Sequence, residues 1–157
     1  MIIPAGSSEE TAKGVPKAAR AVTYQARAMV ETRTALIQLA TVGIVIVRVK
    51  KDVLQSLDDA TKNLTAAILE TDGQRRPLLI DIRAAIPLED DVRRKYSGQT
   101  VVDHFSALGL LVDDRPFGRM MGNLYFRVAD LGIDTQLFAD EEEAIAWLLR
   151  VSNVRNS

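Results

Sequence analysis

Hydrophobic and polar positions along the 157 residues change period several times, and each change marks an element. Two β-branched runs, 34–39 and 44–49, flank Ala40-Thr41-Val42-Gly43 and predict an antiparallel hairpin, closed by Lys50, Lys51 and Asp52. Ser56 with Asp59 three positions on has the form of a helix N-cap with an acidic N3 partner. Leu57, Thr61, Leu64, Ile68 and Thr71 then predict one face of a helix that stops at Asp72-Gly73. The stretch Pro77-Leu78-Leu79-Ile80-Asp81-Ile82-Arg83 reads as a short apolar strand ending in Asp81 and Arg83. Leu79 and Ile80 are apolar together, which predicts burial on both faces, a central parallel position and a right-handed crossover from the hairpin.

Farther on, Pro87 opens a helical pattern with Leu88, Val92 and Tyr96 at i, i+4 and i+8, and Ser97-Gly98 ends it. Val101, Val102 and Phe105 predict another turn or two, and 107–112 a fourth strand. Asp113-Asp114 can cap a third helix with Pro116 in its first turn, in which Phe117, Met120, Met121, Leu124, Tyr125 and Val128 form the cleanest amphipathic stripe of the chain. A fifth strand is predicted at 136–138. Asp140 with Glu143 starts a final helix that buries Ile145, Leu148 and Val151 beside Trp147, with fraying at the end of the chain. Pro4, Gly6, Gly14 and Pro16 break any early element, so 1–32 is expected to be a flexible tail with a weak helical tendency over 17–30. The division is therefore tail 1–32, one α/β domain 33–152 and a frayed end 153–157.

The predicted order is β-β-α-β-α-β-α-β-α, a mixed α/β sheet of about five strands with helices packed on it. With the strand Leu78-Leu79-Ile80-Asp81-Ile82 and the runs 107–123 and 136–148, this order resembles the STAS-like domains typified by bacterial anti-sigma-factor antagonists. Their topology is related to that of the lipid-binding CRAL-TRIO domain, and the uncharacterised bacterial members are the nearest in pattern. The resemblance covers about 34–151. It implies a non-enzymatic, regulatory module that docks a protein partner or a second copy of itself. The family's usual contact region corresponds to Arg83, Ala84, Ala85, Glu89, Asp90 and Arg93 together with the helix after Ser56. In the antagonists a serine or threonine just after the third strand is phosphorylated, because a dianion there reverses the partner's fit. Ala84 or Ala85 stands at that position without a hydroxyl, so docking carries over and the switch does not.

Composition narrows the chemistry. A net charge of −1 lacks the positive field of a nucleic-acid binder. The absence of cysteine removes disulfides, thiolate metal sites and cysteine nucleophiles, and fits a cytoplasmic location. The N-terminal residues lack the pattern of a secretory signal, and no apolar run approaches the roughly 20 residues of a membrane span. No cofactor and no metal are expected. His104 is the single histidine, with Ser97, Asp103 and Ser106 near it in sequence, and a hydrolase built around it is the weakest reading. The acidic runs 89–91 and 140–143 sit where helices should begin and are read as macrodipole partners. The alternative to a docking module is a carrier of a small apolar or anionic ligand. It would use Arg115, Arg119 and Asn123 for charge, with Met120 and Met121 beside Phe117 and Phe126 as an adaptable apolar lining.

Overall fold

A computed structural model of the chain describes residues 29–96, 98–113 and 132–156. Its six strands lie in sequential order across one mixed sheet: β1 (Val30–Glu31), β2 (Ala35–Leu39), β3 (Val45–Val49), β4 (Arg76–Asp81), β5 (Phe105–Leu111) and β6 (Asp134–Phe138). The first three are antiparallel; β3 to β6 run parallel. Helices α1 (Leu57–Glu70), α2 (Asp90–Tyr96), α3 (Gln99–His104) and α4 (Glu141–Asn156) accompany them. The α/β class and mixed sheet hold, with one strand more than the pattern suggests: Val30 and Glu31, counted with the tail, pair with Ile37 and Leu36.

The hairpin turns through Thr41-Val42-Gly43. Gly43 N–H donates to the Ala40 carbonyl at 2.9 Å, and Ala40 N–H to the Ile44 carbonyl at 2.9 Å. Gly43 sits at φ +91°, the left-handed position that a three-residue loop needs and that glycine reaches without a Cβ penalty. Pro77 lies inside central strand β4, where proline removes a ladder donor, and the β4–β5 register shifts between Arg76 and Pro77.

Alternation along the strands divides the core in two. Ile37, Val45, Val47, Leu78, Ile80, Leu108 and Leu110 face α1, α2 and α3. Ile44, Ile46, Leu79, Ala107 and Leu111 face α4. Both sides of β3, β4 and β5 are thus covered, which is why these strands read as continuous apolar runs. At Gly109, on the α4 side, a Cβ would stand 3.2 Å from Leu148 Cδ1 and 3.3 Å from Leu79 Cδ1, so the bare backbone lets α4 settle on the sheet.

One helix start and part of one helix face differ from the pattern, while α1 starts at its predicted Ser56 cap. Leu88, Val92 and Tyr96 are all buried, yet α2 begins only at Asp90, and Leu88 packs from the incoming loop. In α1 the buried face is Asp59, Ala60, Asn63, Leu64, Ala67 and Glu70, while Leu57 and Thr61 face outward. The reason is the capping box. Ser56 Oγ accepts from Asp59 N–H at 3.2 Å, and Asp59 Oδ2 accepts from Ser56 N–H at 2.9 Å, which turns position 59 inward and fixes the phase of the helix. Helix α4 runs on to Asn156 instead of fraying at 153. Among the described residues no helix is long and apolar enough to cross a membrane. The predicted helix after Asp113, with Arg115, Phe117, Arg119, Met120, Met121, Asn123 and Phe126, lies outside the described residues, as does Ser97.

Candidate functional site

The carboxyl ends of parallel strands are where α/β sheets place their working groups, because the loops to the following helices converge there. In this protein that edge collects the ends of β3 and β4, the start of α1, the β1–β2 turn and the start of α4.

On the α4 side, Arg48 near the end of β3 and Asp81 at the end of β4 are register partners across the parallel ladder. Arg48 Nη1 donates to Asp81 Oδ2 at 3.1 Å. Its two terminal nitrogens also grip Glu141, in the first turn of α4, through Nη1–Oε1 and Nη2–Oε2, each 2.8 Å. Arg83 closes the set, with Nε to Asp81 Oδ1 at 3.0 Å, Nη2 to Asp81 Oδ2 at 2.8 Å and Nη2 to Glu141 Oε1 at 3.4 Å. Its backbone N–H adds a 3.1 Å bond to Asp81 Oδ1. Two guanidinium forks thus answer two carboxylates in bidentate geometry, and Asp81 itself is buried. Chemically this is a clamp. Both Asp81 oxygens already accept two donors each, so the group holds α4 to the sheet and is poorly placed to take a proton from a substrate.

Across the sheet lies a polar floor. Asn63 Nδ2 donates to Thr34 Oγ1 at 2.8 Å, Tyr96 Oη at 2.9 Å and Gln55 Oε1 at 3.2 Å, and Thr32 Oγ1 donates to Asn63 Oδ1 at 2.5 Å. The Tyr96 hydroxyl also donates to Gln55 Oε1. Burial, the largest cause, pushes the Tyr96 phenol up to about 12. The Asn63 bond acts against burial, and the Asp59 charge adds to it. Beside this floor Arg33 forms a fork on Asp59, through Nε to Oδ1 at 3.1 Å and through Nη2 to Oδ2. That pairing, helped by the Ser56 bonds and opposed by burial, holds the Asp59 carboxyl well below the usual carboxylate range. Arg33 Nη2 also donates to the Leu54 carbonyl at 2.8 Å. An open depression of about 520 Å³ lies above, lined by Glu31, Thr32, Arg33, Ser56, Asp58, Asp59 and Lys62.

Of the residues singled out by sequence, Arg83 stands at the clamp, its neighbour Ala84 is exposed, Glu89 is exposed at the far end of the same loop, and Ala85 is half-buried against the core. Arg93 turns inward, donating to the Leu88 carbonyl at 2.6 Å and pairing with Asp90, so this pair staples α2 to its own entry loop. Among the described residues the hydrolase grouping is not assembled. His104 Nδ1 donates to the Thr100 carbonyl at 2.7 Å, Asp103 accepts from Gln99 at 2.8 Å, and buried Ser106 meets Ser152 at 3.0 Å. His104 also lies at the amino-terminal end of β5, the edge opposite the clamp. Sequence reading missed Arg48, Arg33 and Glu141. Their signal was present as a charge ending a β-branched strand, a charge just before one, and a helix-start carboxylate.

The family model of DUF7793, a domain of unknown function, matches residues 37–152, which takes in both constellations except the β1–β2 turn. No curated protein matches the chain, and no solved structure matches it.

Proposed function

The chain belongs to the DUF7793 family of domains of unknown function, and from that premise we propose that it is a non-enzymatic, STAS-like interaction module that docks a protein partner at the carboxyl edge of its sheet. The observation that carries the reading is apolar exposure at a rigid edge. Leu54 is 55% and Leu57 45% exposed on the loop and first turn after β3, whereas most of the other large apolar side chains among the described residues are buried. Ala84 and Glu89, on the loop after β4, supply small and charged rim positions at the same edge. The capping box and the Arg33–Asp59 fork tie down the backbone at the start of α1, and the four-residue clamp ties down the end of β4, as a preformed docking surface requires. Arg93 is held within its own loop, so the contact surface of this reading runs through Leu54, Leu57, Arg83, Ala84 and Glu89.

The test compares proteins captured from the native source by the wild-type chain with those captured by a Leu54→Glu, Ala84→Arg variant. Both changes fall on exposed positions, so the variant keeps its fold, checked by circular dichroism. Loss of a specific co-purifying protein is the expected result; the same set of proteins on both baits would overturn this surface.

A further inference from the structure

One face of β2 is buried with no described element over it. Antiparallel register pairs Gln38 with Ile46 and Leu36 with Arg48, and such partners share a face, so both β2 side chains look to the α4 side of the sheet. Helix α4 packs on β4, β5 and β6, with β5 in the middle. Gln38 stands three strands from β5, about 14 Å at a strand spacing of about 4.8 Å. A helix with its side chains reaches only about 5–6 Å from its axis, so α4 does not cover this position. The helix packed on β2 is α1, which lies on the opposite face. Gln38 is nevertheless only 3% exposed, and Leu36 is half-buried.

We infer that residues 17–28 of the same chain lie over Leu36 and Gln38, beside α4, and complete the cover of this face. They lead directly into Met29, which the β1–β2 register, Val30 with Ile37 and Glu31 with Leu36, puts level with Gln38. Ala18, Ala19, Val22 and Ala26 recur at helical spacing, and Lys17, Arg20 and Arg27 fall on the opposite side of that repeat. A helix over 17–28 would span about 18 Å, close to the roughly 17 Å of a five-residue strand such as β2. The other long stretch outside the described residues, 114–131, belongs to the opposite face by handedness. It joins the parallel neighbours β5 and β6, and a right-handed crossover in the same direction as those through α1, α2 and α3 lands on their side of the sheet. Ile133 and Leu137, packed against the core on that side, agree with this placement.

Limited trypsin digestion of the full chain tests this, because Arg20 and Arg27 each precede an alanine and offer cleavable bonds inside the segment. Both bonds should be cut roughly tenfold more slowly than in a synthetic peptide of residues 13–32, at a rate independent of protein concentration. Val22→Asp in the segment and Leu36→Glu on the sheet should each restore rapid cutting. Cleavage after Lys62, in the middle of α1, is the control for global unfolding and should stay slow in both variants. If Lys62 is cut early in Leu36→Glu, the milder Leu36→Ser repeats the measurement. Cutting of the wild-type chain at the peptide's rate overturns the proposal. So does protection that survives the change at Leu36, which would put the segment elsewhere, and so does protection that fades on dilution, which would give the face to a second copy's segment.

Discussion

Asn63 is a polar residue facing the core from the middle of α1, and it is tolerated because Thr32, Thr34, Gln55 and Tyr96 all reach it. Tyr96 is the reporter of this network. Its folded pKa of about 12 lies above the unfolded value near 10, so the unfolded chain releases the phenolic proton first. Tyr96's contribution to stability is therefore complete below about pH 10 and lost as pH rises from 10 to 12. In an absorbance titration a late tyrosine phase is expected, and Tyr96→Phe should delete it. The same substitution should cost about 1–3 kcal/mol in denaturant unfolding, because it strips a buried partner from Asn63 and Gln55. A titration in which every tyrosine ionises near 10 would contradict a sealed network.

At the scale of elements, capping and close approach set positions that propensity leaves loose. The Ser56–Asp59 box phases α1 so that Ala60, Leu64 and Ala67 pack inward, and the leucines flanking it are left outside. Of the stripe Leu57, Thr61, Leu64, Ile68 and Thr71 that reads as a core face, Leu64, Ile68 and Thr71 do turn inward, whereas Leu57 and Thr61 in the first turns stay outside. Helix α4 depends on Gly109 in a comparable way. Gly109→Ala puts a methyl against Leu148 and Leu79 in a core already filled, and the expected cost is about 1–3 kcal/mol from overpacking. Chemical denaturation checks this value. Leu148→Ala in the Gly109→Ala background should lose less stability than in the wild type, because the added methyl occupies part of the vacated space.

For the whole molecule, the clamp of Arg48, Asp81, Arg83 and Glu141 joins the strand ends to the helix that covers the second face. Arg48→Ala leaves two carboxylates sharing one guanidinium and should cost about 2 kcal/mol. The loss should concentrate in α4: hydrogen exchange there should quicken while the α1 face stays protected, and uniform acceleration of all elements would show that the clamp acts globally instead. Much of this architecture was legible in the chain. The β-branched runs, the turn at Gly43, the Ser56–Asp59 cap and the doubly apolar strand at Leu79 and Ile80 each declare themselves through local rules of period, propensity and capping. The site was only half legible. Asp81 and Arg83 stand out because they end a strand, whereas Arg48 and Glu141 are 93 positions apart, and Thr32 and Asn63 are 31 apart. Sequence by itself therefore determined the elements, their alternation and the apolar character of the central strands, since those follow from interactions among neighbours within a few residues. Tertiary structure decided which face of α1 is buried, which charges neutralise one another at the sheet edge, and which leucines remain for a partner. Those outcomes depend on register and packing between distant segments, and no local pattern contains them.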